Sequence, residues 1–224
     1  MENLAPNNKR IVKNTLLLYV RMLFLMVVSL YTSRVVLNAL GIEDFGIYNV
    51  VGGMVAMFSM LSGSLSAAIT RFITYELGRG DREKLRTIFS SAVTIQLGLA
   101  AIIIILAEVL GIWFLNSKMT IPLDRLAAAN WVFQFSVLTF AINLVSVPYN
   151  ASIIAHERMS AFAYISIFEA VGKLAIAYLI TISPIDRLVF YAILMCAVAL
   201  IVRFTYGIYC KRHFEECMYH FIFD

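Results

Sequence analysis

The sequence predicts an all-α fold, a polytopic membrane bundle of about six transmembrane helices. Of its 224 residues, 61% are hydrophobic and only 14% are charged, with a mean hydropathy of +0.84. Soluble domains contain about 45–50% apolar and about 25% charged residues. The apolar residues also form runs of about twenty or more, which as helices are long enough to cross a hydrocarbon core of about 30 Å.

The first apolar run, residues 14–40, is predicted to be a retained transmembrane helix. It follows a polar segment containing Lys9, Arg10 and Lys13, which resembles the start of a secretory signal peptide. The run is longer than the roughly 7–15 residues of a signal-peptide core, and no small-residue cleavage site closes it.

Five more transmembrane helices are predicted from the remaining apolar runs. They cover residues 45–75, 87–115, 127–154, 160–182 and 188–209. The chain is therefore expected to consist of a polar N-terminal segment (1–13), a six-helix lobe (14–210) and a tail (211–224) that forms an interfacial helix or a linker.

The basic residues of the connecting segments alternate between the two sides of the predicted bundle. Ten lie on one side: Lys9, Arg10, Lys13, Arg79, Arg82, Lys84, Arg86, Arg158, Lys211 and Arg212. Only Lys118, Arg125 and Arg187 lie on the other. Because Lys and Arg are retained in cytoplasmic loops, both termini are predicted to be cytoplasmic. Topology explains the net charge of +4 better than a nucleic-acid partner does.

No motif in the sequence indicates catalysis or a bound metal. The three histidines are separated, the patterns HExxH, GxSxG and GxxxxGK are absent, and the three cysteines form no CxxC pair. The chain is therefore predicted to be neither an enzyme nor a cofactor-binding protein.

Glu169 and Lys173 are predicted to lie near the membrane midplane, too deep for easy snorkelling. Their i,i+4 spacing, with the glutamate first, lets them pair on one helix face. One interpretation is a self-neutralised pair that packs against neighbouring helices. The other is that Lys173 binds an anion in a hydrated cavity and Glu169 tunes its charge.

Four arginines, Arg21, Arg34, Arg71 and Arg203, also fall within predicted membrane helices. Arg21 lies about 10 Å from the cytoplasmic end of the first helix, and Arg34 lies near its outer end. They are about 220° apart around that helix, so they do not share a face. Each either snorkels or lines a cavity, whereas snorkelling is the favoured interpretation for Arg71.

The helix predicted at 127–154 carries a proline and two amides. Pro148 leaves a backbone carbonyl without its usual donor, and Asn143 and Asn150 place amides at membrane depth. Such a helix suits either a static kink or a moving gate, and these three residues are the gating candidates.

Four segments carry a resemblance to a known family. They are YTSRVVLNALG at 31–41, DFGIYNVVGG at 44–53, GSLSAAITRF at 63–72 and PYNASIIAHERM at 148–159. With them, the chain resembles the Wzx-type polysaccharide flippases of the multidrug/oligosaccharidyl-lipid/polysaccharide exporter superfamily. Arg34 and Arg71 lie within these segments.

This resemblance implies a bundle of two six-helix lobes that works by alternating access. This chain would form the N-terminal lobe, and a second lobe, from the same gene or another chain, would be its partner. The implied substrate is an undecaprenyl-diphosphate-linked oligosaccharide, moved across the bacterial inner membrane for O-antigen or capsule synthesis. Its diphosphate would meet basic residues, for which Arg21, Arg34, Arg71 and Lys173 are the candidates, while its tail stays among membrane lipids.

Two alternatives remain open. A multidrug or cation antiporter of the same superfamily would favour acidic residues in its cavity, whereas the intramembrane charges here are five basic and two acidic. A non-transporting membrane scaffold or truncated fragment is the other alternative.

Overall fold

The computed structural model of the chain describes residues 4–119, 121–183 and 185–217, and the side chains from residue 12 onward except those of 60 and 61. In chain order these residues form α1 (Leu4–Leu40), α2 (Ile42–Ala56), α3 (Ser59–Arg79), α4 (Arg82–Leu106), a π-helical turn (Ala107–Gly111), α5 (Ile112–Ser117), α6 (Leu126–Ala155), α7 (Met159–Leu179), a 3₁₀ turn (Ile180–Ile182), α8 (Arg187–His213) and a second 3₁₀ turn (Glu215–Cys217). No strand occurs in the described ranges, and the all-α prediction is confirmed.

Five helical segments of the described chain are long and apolar enough to cross a membrane. They are Val12–Leu40, Arg82–Ser117, Leu126–Ala155, Met159–Ile182 and Arg187–His213. These correspond to five of the six predicted membrane helices. The polytopic helical bundle is therefore confirmed.

The prediction of one continuous helix at 45–75 is wrong, because two helices occupy this region. They meet at Met57 and Phe58, where the Phe58 amide donates to the Val55 carbonyl at 3.1 Å, a shorter-range bond than that of an α-helix. The Ser59 hydroxyl donates to the Ala56 carbonyl at 2.6 Å and so satisfies a group freed at the break.

Two further boundaries differ from the predictions. Helix α1 already begins at Leu4, so most of the polar segment 1–13 is helical. Helix α4 begins at Arg82 instead of residue 87, because the Asp81 carboxylate accepts from the Lys84 amide at 3.1 Å and caps the helix. Gly80 ends α3 in the left-handed conformation, with φ of 74°, so the α3–α4 turn is tight.

Helix α6 forms the centre of the bundle. It packs against α2, α3, α4, α7 and α8. More than half of the residues in its most apolar stretch are buried. Helix α1 instead packs mainly on α7, and Val36 and Ala177 belong to the core between them. The wall formed by α1 and α7 therefore stands beside the main core.

A polar clamp joins three segments at the end of the bundle opposite the basic loops. The Arg125 guanidinium donates to Asp186 at 2.5 Å and also to the buried carboxylate of Asp44. Asp186 in turn caps the first turn of α8 by accepting from the Leu188 amide at 3.0 Å. The starts of α2, α6 and α8 are thus held by one arginine.

At the basic end, the chain after α8 folds back onto the bundle. Helix α8 continues to His213, and the turn Glu215–Cys217 packs against α4. Phe214, Glu216 and Cys217 are buried there. The rest of the predicted tail, 218–224, lies outside the described residues.

Candidate substrate cavity

A cavity of about 440 Å³ lies between α1, α2, α7 and α8. Its wall combines apolar residues with polar and charged ones at membrane depth. The polar and charged members are Arg21, Ser29, Thr32, Ser33, Tyr48, Asn49, Ser166, Glu169, Lys173 and Tyr191. Such side chains are costly against lipid, so a hydrated space is the environment that suits them.

One face of α1 supplies the longest wall of this cavity. Arg21, Leu25, Val28, Thr32 and Val36 line it and follow one another at intervals of three or four residues. That spacing places them on a single helix stripe. The periodicity of α1 alone therefore aligns Arg21 with the Thr32 hydroxyl and three apolar side chains.

Glu169 and Lys173 face the cavity from α7. The Lys173 ammonium lies 2.6 Å from the Glu169 carboxylate, and the two side chains are 41% and 34% exposed. The predicted i,i+4 pair is thus present and is partly accessible from the cavity instead of sealed between helices. An accessible pair can exchange its internal contact for one with a ligand.

Arg21, which lines the cavity from α1, also contacts α7. Its guanidinium carbon lies 4.3 Å from the centre of the Phe162 ring, a cation–π contact from α1 to α7. Its buried Nε and the buried Thr32 hydroxyl have no hydrogen-bond partner in the described part of the chain. Both are buried donors whose hydrogen bonds the described residues do not satisfy.

Tyr48, Asn49 and Tyr191 were not predicted to belong to a site. Tyr48 and Tyr191 pack edge to face with ring centroids 4.7 Å apart, and they close the cavity from α2 and α8. The Asn49 amide donates to the Phe45 carbonyl at 2.7 Å. Tyr48 and Asn49 lie in the segment DFGIYNVVGG, so the motif at 44–53 was the available signal.

The other two candidate arginines lie elsewhere. Arg34 and Arg71 are both exposed, and neither lines the cavity. Arg34 lies on the side of α1 opposite the cavity stripe, as its offset of about 220° from Arg21 predicts. Arg71 lies on α3, which does not border this cavity.

A second cavity, of about 260 Å³, adjoins the first and is bounded by α2, α3, α6 and α8. The two cavities share Tyr48 and Met195. Of the three gating candidates, Asn143 lines this second cavity. The concave surface of the lobe thus extends from Arg21 to Asn143.

The remaining gating candidates, Pro148 and Asn150, lie further along α6 toward its C-terminal end. Pro148 is buried inside the helix, which runs unbroken from Leu126 to Ala155. The Ser152 hydroxyl donates to the Pro148 carbonyl at 3.0 Å. The buried Asn150 side-chain oxygen has no partner among the described residues. The structure therefore separates Asn143 from Pro148 and Asn150.

Metal-ligating residues do not converge in the parts of the chain that the structure describes. No group of three or more His, Cys, Asp or Glu side chains is placed to hold an ion there. The chemistry of the cavity is accordingly that of one carboxylate, two cations and several hydroxyl and amide groups.

Comparison with known proteins adds the family. Residues 19–179, which include most of α1, all of α7 and the cavity-lining residues on them, match the MatE family. The uncharacterized membrane protein EpsK of Bacillus subtilis (strain 168) is 22% identical over 124 residues, which cover 55% of this chain and 24% of EpsK. The chain therefore spans only part of that relative's length. No solved structure gave a significant match.

MatE proteins are membrane transporters of the superfamily to which the sequence motifs already pointed. The match covers well over half of the 224 residues and includes three of the four helices that enclose the cavity, namely most of α1 and all of α2 and α7. This chain belongs to the MatE family of membrane transporters.

Proposed function

We propose that this chain is one lobe of a flippase that moves an undecaprenyl-diphosphate-linked oligosaccharide across the bacterial inner membrane for O-antigen or capsular polysaccharide synthesis. The basic loops and both termini would face the cytoplasm. The MatE membership and the distant similarity to EpsK support a transporter; the motifs and the cavity support this substrate.

The observation that carries the proposal is the charge of the cavity. Arg21 and Lys173 line it together with a single acidic residue, Glu169, which leaves an excess of one positive charge. A diphosphate is anionic, and its attraction to a cation is stronger in a low-dielectric cavity than in water. The sugar hydroxyls would meet the hydroxyl and amide groups of Thr32, Asn49 and Tyr191.

The exposed polar residues support a second lobe. Asn49 and Asn143, which line the two cavities, are both exposed on the described surface although they lie within the helices that bound these cavities. Facing lipid, each polar group would be costly. A second six-helix lobe packed against this concave side would enclose the cavities and supply their missing wall.

The test uses the complete protein in the cell that naturally makes it. The native gene is replaced by variants Arg21→Gln, Lys173→Gln and Arg34→Gln, and surface polysaccharide is measured together with the lipid-linked oligosaccharide that accumulates inside. We expect the first two to lower export about tenfold or more, equivalent to about 1.4 kcal/mol or more.

Arg34→Gln is the matched control, because it removes the same charge from the opposite face of the same helix. Protein levels are compared by immunoblotting, so that loss of folding is distinguished from loss of transport. Normal polysaccharide in both Arg21→Gln and Lys173→Gln would refute an anion-binding cavity. Increased drug sensitivity in Glu169→Gln with normal polysaccharide would instead favour the cation antiporter.

A further inference from the structure

A groove with apolar walls runs between α3 and α4, on a part of the lobe that the substrate cavity does not reach. Its volume is about 390 Å³. Its walls include Leu65, Ala68 and Phe72 of α3 and Ile88, Ser91 and Ile95 of α4. Phe72 and Ile95 are 59% exposed, so the groove opens on the outer surface of the bundle.

The dimensions of the groove match one leaflet of a bilayer. On α4 it extends from Thr87 to Ile95, a rise of about 12 Å, which is less than half of a hydrocarbon core of about 30 Å. The Thr87 hydroxyl donates to the Glu83 carbonyl at 3.0 Å, so that polar group is satisfied by its own helix. The surface that remains suits a hydrocarbon chain.

Two cations stand at the end of the groove nearest the α3–α4 turn. Arg79 follows Phe72 by seven residues on α3, and Lys84 precedes Ile88 by four on α4, so each continues the helix stripe that lines the groove. The tight turn at Gly80 and Asp81 keeps the two helix ends together.

Both cations are available to a ligand. Arg79 and Lys84 are exposed, and the nearest carboxylate to Arg79 is that of Glu76 at 3.9 Å. Lys84 forms no ion pair with any residue in the described ranges. The Tyr75 ring, 5.7 Å from the Arg79 guanidinium carbon, adds an amphipathic side chain at the same depth.

We propose that this groove is a binding site for an anionic phospholipid. One acyl chain lies between α3 and α4, and the phosphate lies between Arg79 and Lys84. An acyl chain gains little hydrophobic free energy by leaving other lipid tails, so selection comes from the headgroup charge. Basic residues between membrane helices at the side of the basic loops are suited to acidic headgroups.

The test measures the thermal stability of the detergent-solubilised chain during titration with phosphatidylglycerol or phosphatidylcholine. We expect phosphatidylglycerol to raise the melting temperature at lower concentration than phosphatidylcholine. The variant Arg79→Gln/Lys84→Gln should shift the half-saturating concentration of phosphatidylglycerol upward about 25-fold, since each cation near a phosphate contributes a factor of about five.

Lys211→Gln/Arg212→Gln is the matched control, because it removes two exposed cations from the same side of the bundle at the end of α8. This control variant should leave the preference for phosphatidylglycerol over phosphatidylcholine unchanged. A second variant, Ala68→Leu, fills the groove without changing its charge and should weaken the binding of both lipids. Equal effects of the two lipids on the natural chain, a preference that survives Arg79→Gln/Lys84→Gln, or stabilisation by a polyprenyl phosphate alone would overturn the proposal.

Discussion

The imidazole of His156 stacks on the ring of Phe214, with centroids 4.0 Å apart and planes 13° apart. His156 follows α6, and Phe214 follows α8, so this contact joins two chain segments that are distant in sequence. A short hydrogen bond between His156 and Glu216 reinforces it. The segment after α8 is therefore attached to the α6–α7 loop by one histidine.

Removing the stack should release the segment. We expect Phe214→Ala to increase the rate at which a membrane-permeant maleimide labels Cys217, which is only 5% exposed. A loss of about 1.4 kcal/mol in local stability would raise the opened fraction about tenfold. Cys217→Ser gives the background from Cys196 and Cys210. An unchanged labelling rate would show that other contacts hold the segment.

Attachment of this segment should also depend on pH. Burial raises the pKa of the Glu216 carboxyl, but the hydrogen bonds from His156 and a backbone amide, with the nearby charges of His156 and Arg82, lower it below the ordinary value of 4.5. The attached state therefore binds fewer protons than the released state. The stabilisation of the attached state is complete above pH 4.5 and is lost as the pH falls through the lowered pKa of Glu216.

Amide hydrogen exchange of residues 214–217, corrected for intrinsic rates, measures this effect. Protection should decrease below pH 4.5 in the natural chain. Glu216→Gln should be less protected at neutral pH and should lack this decrease. An identical pH profile in Glu216→Gln would exclude Glu216 as the group responsible.

The clamp at the opposite end should contribute measurably to folding. Arg125→Ala leaves the Asp44 side chain, which is 6% exposed, without its cation. We expect the free energy of unfolding to fall by about 2–3 kcal/mol, somewhat less than for a fully buried pair because Arg125 is 29% exposed. Thermal unfolding in detergent measures the change.

Arg82→Ala is the control for the clamp, because Arg82 and Glu215 are both 82% exposed although they lie 2.6 Å apart. Its effect should be about 0.5 kcal/mol or less. The double variant Arg125→Ala/Asp44→Asn should recover part of the stability by removing the unpaired charge. Equal losses from Arg125→Ala and Arg82→Ala would contradict the importance of burial.

The π-helical turn depends on a glycine. A Cβ atom added at Gly111 would lie 2.3 Å from Cζ of Phe133, which is 2% exposed and has little space to move. We expect Gly111→Ala to destabilise the chain by about 1–3 kcal/mol. Gly98→Ala on α4 meets no atom within 4 Å and should not destabilise. Rescue of Gly111→Ala by Phe133→Leu in the same unfolding assay would identify the clash as the cause.

Long apolar runs made most of the fold predictable. The helix predicted at 127–154 is found at Leu126–Ala155, because its apolar run is bounded by polar turns. The break at Met57 and Phe58 was not predictable in this way, because both halves are apolar and no proline or glycine marks the junction. The π-helical turn also leaves hydropathy unchanged, and only packing against Phe133 distinguishes it.

The candidate site was predictable to the extent that depth and helical period determine it. Depth selected Glu169 and Lys173, and the period of α1 separated Arg21 from Arg34. In the structure Arg21, Glu169 and Lys173 line the cavity and Arg34 does not. Tyr191 reaches the cavity from a distant helix, which no local pattern encodes. The roles of all the candidates stay predictions: Arg21, Arg34, Arg71, Glu169, Lys173, Asn143, Pro148 and Asn150.

The order of charges along the cavity has a consequence for the rate of the proposed transport. Arg21 contacts α7 at Phe162, and Glu169 and Lys173 follow about two and about three turns further along that helix, so cation, anion and cation alternate along the cavity wall. The anionic substrate proposed above would meet a second attractive point before it had left the first, and the carboxylate between them would weaken both. Passage requires contacts that hold a solute only briefly. The proposed function therefore implies modest affinity at every step along this wall.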